Sequence, residues 1–203
     1  MSKIEEKIAQ MLLEHSMKLE IRNAGVFRFL KSYRFERHNH KETEIVYIKS
    51  GHCIMGVGEE FVPLKERDSI IVYKGVPHWF MVDKSEGCQI AQVEYYVEVP
   101  GDLQESLGVF RPARYHKLTE NENLRELIEG IGKLHRSGRD TELKGAAMKM
   151  LFLLLFMELS VQIEKNGQKK PGRMARLISC INENYAYDIS IEELAEKFGY
   201  SSR

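Results

Sequence analysis

The sequence predicts an α+β protein: a barrel of short antiparallel strands followed by helices. Two patterns carry that reading. Over residues 21–100, runs rich in β-branched and aromatic residues are broken every few positions by Gly, Pro, Asn or Asp, which is how short strands joined by turns look in sequence. Beyond Pro100-Gly101 the spacing turns helical, with Leu124, Leu127, Ile128, Ile131 and Leu134 on one face.

At 203 residues the chain has room for one large domain or two small ones, and a hydrophobic content of 43% is ample for a core. The 30 basic and 30 acidic side chains cancel, so no global field draws the chain to nucleic acid and any DNA contact has to be local. Cys53, Cys88 and Cys180 are odd in number, far apart and without a Cys-x-x-Cys pair. They read as free thiols in a reducing compartment rather than a disulfide frame or zinc finger. The N-terminus has Glu5 and Glu6 where an export signal has an apolar core, and the longest apolar run, residues 150–157, is short for a bilayer. The expectation is a cytoplasmic protein without membrane contact.

Taken in order, residues 3–15 read as an amphipathic helix with Ile4, Ile8, Met11 and Leu12 on one face. Together with the residues up to 20 it forms an arm docked on the barrel. The barrel follows over 21–116, its strand series long enough for a double-stranded β-helix of jelly-roll type. Residues 117–165 form a helical segment. Its centre is apolar almost all round apart from Lys149, so one flat contact cannot cover it, and a partner copy is expected: a homodimer. Asn166-Gly167-Gln168-Lys169-Lys170-Pro171-Gly172 is a polar, Gly- and Pro-punctuated linker. In residues 173–203, Ser190-Ile191-Glu192-Glu193 is a capping box that opens a helix ended by Gly199.

The chemistry sits in residues 38–51. His38 and His40 are two apart, so a strand puts both imidazoles on one face. A polar break follows, then Glu44 at the head of Ile45-Val46-Tyr47-Ile48 and a turn at Gly51. A tight antiparallel return would bring Glu44 beside the histidines. Gly75-Val76-Pro77-His78 delivers a third imidazole. If the strand is unbroken, Arg34 and Glu36 face inward with the histidines, whereas a bulge turns Tyr33 and Phe35 inward instead. Phe80 shares the face of His78, and Trp79 points the other way, against the helical layer.

The His-x-His-x3-Glu-x6-Gly pattern and the Gly75-Val76-Pro77-His78 turn resemble the two sequence motifs of the cupin β-barrels. That resemblance implies either a divalent metal (Zn, Ni, Fe or Mn) on His38, His40, Glu44 and His78, or the same groups hydrogen-bonding an organic ligand, or a structural cluster. Ligand-binding candidates are Arg34, Glu36, His38, His40, Glu44, His78 and Phe80. The second motif departs from the pattern at Tyr73, where a Pro is usual, and at Val82, where an Asn is usual. No metal is therefore required, and the domain is not expected to be an enzyme.

Residues 189–201, with Ala195 small and Gly199 at the turn, look like the first half of a helix-turn-helix. With the order barrel, helices, linker, capped helix, the chain resembles AraC/XylS-type transcription regulators. The resemblance implies a cupin-like sensor for a small polar effector such as a sugar, a helical dimerisation segment and a DNA-binding domain. The sequence stops at Arg203, where that family's recognition helix would begin. DNA contact is therefore expected only through the complete C-terminal domain. A metal-dependent cupin oxygenase or isomerase is the alternative.

Overall fold

Residues 2–14, 16–138 and 141–167 are described by a computed structural model. Nine strands form two antiparallel sheets among these residues: β1 (Lys18–Phe29), β2 (Arg34–His38), β3 (Thr43–Ser50), β4 (His52–Val57), β5 (Glu60–Lys65), β6 (Ser69–Val72), β7 (His78–Val82), β8 (Cys88–Glu98) and β9 (Tyr115–Leu118). One sheet has the order β1-β8-β3-β6-β9 and the other β2-β7-β4-β5. They face each other as a sandwich, and the protein is α+β as expected.

The pattern of β3 shows how the layers arise. Ile45, Val46, Tyr47 and Ile48 are all buried, although a strand alternates its side chains between faces. Both faces are covered. Val46 and Ile48 join Met55, Val57, Ile70 and Phe80 between the sheets, whereas Ile45 and Tyr47 join Ile71, Val93 and Tyr95 under the helices. That double burial is why this run carries no polar alternation in sequence.

The helices are α1 (Lys3–Leu13), α2 (Gly101–Ser106), α3 (Glu122–Arg136) and α4 (Glu142–Gly167), with a 3-10 turn at Gly108–Phe110. A capping box starts α1: Ser2 Oγ accepts the Glu5 amide while Glu5 accepts the Ser2 amide. Met11 anchors it in the helical-side core. In α4, Phe152 and Phe156 pack on Tyr95 at ring-centre distances of 5.0 and 5.7 Å. By length and composition alone α4 could cross a membrane, so the expectation that no apolar stretch is long enough is corrected. A buried face on Phe152, Leu155, Phe156 and Leu159 makes α4 a core helix.

Three further expectations change. First, β2 and β3 are not a hairpin: they lie in different sheets, and the chain crosses between them just after His38. Second, Trp79 is not against the helical layer. It lies on the outer face of the four-stranded sheet, over Gly56, where a Cβ would come within 2.0 Å of the indole, and edge-on to Phe61. Third, the strands do not give way to helices at Pro100-Gly101, nor is 117–165 helical from its start, because β9 returns to pair with β6.

The chain divides into two compact units, Met1–Glu164 and Lys165–Arg203. Most of the 166–172 linker and all of the 173–203 helix-turn-helix reading lie outside the described residues.

Candidate metal centre

The strand register decides which side chains meet. On β2 and β7, Arg34 is opposite Met81 and Phe35 opposite Phe80, after which the register slips and His38 faces His78. The extra residue is a bulge, which reverses parity along β2. Phe35 and His38 therefore share the inward face, and the inward placement of Arg34 and Glu36 is corrected. Arg34 is on the outer side, its guanidinium 5.9 Å from the centre of the Trp79 ring. Glu36 is exposed. Phe80 is inward and buried, as expected.

The two motifs are tied through the backbone. Gly75 donates its N–H to the His40 carbonyl at 2.8 Å, from a conformation with φ of 76° that suits glycine. This holds the turn that launches β7, and hence His78, against the first motif. Glu44, at the start of β3, reaches the histidines from the opposite sheet.

His38, His40, Glu44 and His78 each offer one ligand atom, and these atoms all lie within 4.8 Å of one another. The second contacts of the rings are equally informative. Nδ1 of His38 lies 2.9 Å from the Glu36 carbonyl, Nδ1 of His40 lies 3.0 Å from the Glu42 carbonyl, and Nδ1 of His78 lies 2.8 Å from the Val76 carbonyl. A carbonyl only accepts, so Nδ1 carries the proton in all three. In a neutral ring, Nε2 is then a bare lone pair. Nε2 of His78 is 2.9 Å from Glu44 Oε2 and Nε2 of His40 is 3.4 Å from it. His40 Nε2 is buried and makes no hydrogen bond. Lone pairs facing a carboxylate at these distances need a cation between them, either a proton or a metal. Backbone-anchored Nδ1–H groups are the usual outer-shell support of metal-binding histidines, so the residues fit a metal.

Burial by itself would raise the Glu44 pKa, but the close contacts and charges of His40 and His78 outweigh it and hold the carboxyl down at about 2. The Glu44 contact correspondingly raises the pKa of His40, against the lowering effect of burial.

A cavity of about 460 Å³ adjoins the cluster. His38, Glu44 and His78 line one end, and Phe27, Phe29, Tyr33, Phe35 and Phe80 form much of the rest. A polar group that sequence reading missed stands beside the cluster. Arg22 is the extra residue of a bulge in β1, between Ile21 and Asn23. It lies 3.3 Å from Glu94 and 3.6 Å from Glu42, while Gln92 donates to Glu94 at 2.7 Å. The Arg22 bulge leaves no mark in sequence, but the alternation Ile90, Gln92, Glu94 along β8 was a legible sign of a part-polar inward face. A larger depression of about 910 Å³ around Ile54, Pro63 and Met81 opens on the outer face of the four-stranded sheet, and none of the four cluster residues lines it.

No curated protein matches the chain. Among solved structures, it is similar to an oxalate decarboxylase variant from Bacillus subtilis, with 24% identity over 34% of this chain and 19% of that one, TM-score 0.32. It is also similar to YhaK from Escherichia coli, with 13% identity over 51% and 44% of the two chains, TM-score 0.40. The cupin domain of Schizosaccharomyces pombe Cnp3 matches with 12% identity over 45% and 70%, TM-score 0.35. The chain thus spans about a fifth of the decarboxylase and under half of YhaK. The expectation of a non-enzymatic domain is corrected: residues 25–94 match the cupin family model, and that match gives no ground for excluding catalysis. None of these comparisons shows an AraC/XylS regulator or a helix-turn-helix. Residues 25–94 match the family model of the cupin domain (Cupin_2), and the chain carries a cupin domain.

Proposed function

We propose that the domain holds a divalent metal on His38, His40, Glu44 and His78 and acts on a small molecule in the adjoining cavity, as a metal-dependent cupin enzyme of oxygenase or isomerase type. The observation that supports this most is the set of three Nδ1–H groups held by backbone carbonyls, which leaves three Nε2 lone pairs converging with Glu44. Such a metal would supply Lewis-acid polarisation of an oxygen donor. Three nitrogens and a carboxylate leave positions open on a six-coordinate ion. The chain's own part is to fix the rings through those carbonyls, to keep Glu44 ionised, and to exclude water with the aromatic walls. Metal analysis of the purified protein, with turnover assays on oxygen-donor substrates, tests the reading. Wild-type protein is expected to hold about one equivalent, and His38→Ala and His78→Ala to lose both metal and turnover. A wild type that takes up no metal from supplemented buffer would falsify it.

A second reading rests on a different observation, the capped-helix sequence at 189–201. In it, the barrel senses a small effector within an AraC-type transcription regulator and shifts the population of DNA-binding arrangements. Promoter binding by the full-length protein that is identical with and without candidate effectors would sink it.

Both readings favour a homodimer through α4. Leu143, Met150, Leu154 and Val161 are exposed on it. With Ala147 and Met157 between them, they repeat at alternating steps of four and three residues. A 3.5-residue period is the spacing on which two helices can pair with a left-handed supercoil, and it supports this reading.

A further inference from the structure

Resting on the metal reading, we infer that the ligand of this cavity has an aromatic or similarly flat apolar body and a compact oxygen-donor head carrying at most one negative charge. A sugar and a small dicarboxylate both fit the cavity less well.

The body follows from the walls. The cavity runs from the His/Glu cluster into the space between the two sheets, where Phe27, Phe29, Met55 and Phe80 line it with Val46 and Ile90. Its mouth lies between the edge strands β1 and β2, neither of which has a neighbour on that side among the described residues. Tyr33 and Phe35, 36% and 48% exposed, stand there, with Phe29 4.7 Å from Tyr33 and 5.3 Å from Phe80 between ring centres. Aromatic faces and edges at such spacing receive a flat ring favourably. A sugar needs hydrogen-bond partners around its whole rim, whereas Arg22, Asn23 and Gln92 gather on Glu94 beside the cluster and Tyr33 alone brings a hydroxyl to the mouth. At about 460 Å³ the space is within the range of small-molecule pockets and generous for a two-carbon diacid.

The head follows from charge. Among the described residues, Glu44 and Glu94 line the cluster end and Glu42 stands 3.6 Å from Arg22, the one cation of the lining. With the histidines neutral, carboxylates exceed cations by two, which one divalent ion just offsets. A dianionic ligand would arrive at a neutral site ringed by carboxylates, with only Arg22 to receive its second charge. A hydroxyl, enol or hydroxamate head can occupy the metal's open positions without that repulsion.

The test holds the head constant and varies the body. The full chain is first titrated with Zn(II) by calorimetry. The zinc-loaded protein is then titrated with acetohydroxamate, benzohydroxamate, D-glucose and oxalate. Replacing methyl by phenyl is expected to tighten binding by about ten- to a hundredfold from the apolar area buried. Tyr33→Ala and Phe29→Ala, whose rings pack on each other and not on the four cluster residues, are expected to remove most of that gain and leave zinc affinity unchanged. Equal binding of the two hydroxamates, a phenyl gain indifferent to both variants, or tighter binding of glucose or oxalate overturns the inference while leaving the metal centre standing. Absence of zinc uptake overturns both.

Discussion

Glu44 on β3 and Glu94 on β8 are directly opposed across the five-stranded sheet, and both side chains line the same cavity. Two carboxylates in this position repel unless each has its own neutralising partner. Glu44 has His40 and His78; Glu94 has Arg22 and the amide of Gln92. The site is therefore two adjoining half-sites. The one built from histidines can exchange its proton for a metal, and the one built around Arg22 cannot, because a guanidinium stays charged.

The first prediction concerns His78, which is 2% exposed and bonded to Glu44. In metal-free protein, His78→Ala leaves a buried carboxylate with one partner fewer, at a cost of about 1–3 kcal/mol. The double variant His78→Ala/Glu44→Gln is expected to recover part of that loss, because the buried charge is gone. Urea unfolding in the presence of a chelator measures both.

Acid should destabilise the metal-free protein at this site. The Glu44 carboxyl sits at about 2 in the folded chain against an ordinary 4.5. Its contribution, on the order of 3 kcal/mol, is present above pH 4.5 and lost as pH falls from there towards 2. His40 is shifted the other way, above its ordinary 6.5. Its contribution is full below pH 6.5 and lost as pH rises through the folded value. Metal binding needs the deprotonated ring, so the stabilisation gained on adding metal should grow between pH 5 and pH 8. Melting temperatures with and without Zn(II) across that interval check the sign.

Gly56 lies beneath Trp79, with no room for a Cβ. Gly56→Ala is expected to push the indole outward and to destabilise by about 1–3 kcal/mol. Trp79 is the single tryptophan of the chain, so a red shift of its emission reads the displacement directly. Metal affinity should not change, because Trp79 is on the outer side of the sheet from the cluster.

On α4, Leu154 is 50% exposed at the middle of the apolar seam. Leu154→Glu is expected to convert a dimer into a monomer with little change in the fold, because the side chain is not part of the core. Light scattering coupled to size-exclusion chromatography decides it; a wild-type monomer at tens of micromolar would count against the seam.

Several of these features were legible from residue order. His38, His40 and Glu44 could be read because their spacing is local, and His78 because it follows a Gly-x-Pro turn and opens a strand. The α1 and α3 helices could be read because their apolar period is strong, and α4 because its run is long, apolar and free of proline. Arg34 and Arg22 exchanged places for a reason no local pattern records. Single-residue bulges in β2 and β1 invert parity, and a bulge depends on what the neighbouring strand presents. Trp79 was misplaced for a related reason: period-two alternation says that it opposes His78 but not which layer lies beyond that face.

The sequence by itself determined the class of the fold, the identity of the four donor residues and the existence of a glycine-launched turn before His78. All of these are set within a few residues by strand alternation, β-propensity and the positive φ that glycine tolerates. Only the tertiary structure decided that β2 and β3 belong to different sheets, that Glu44 meets the histidines across the sandwich, and that Glu94 and Arg22 complete the polar end of an aromatic cavity. Those relations join strands far apart in the chain. They are fixed by how two sheets pack their inner faces, a quantity that no single stretch of sequence contains.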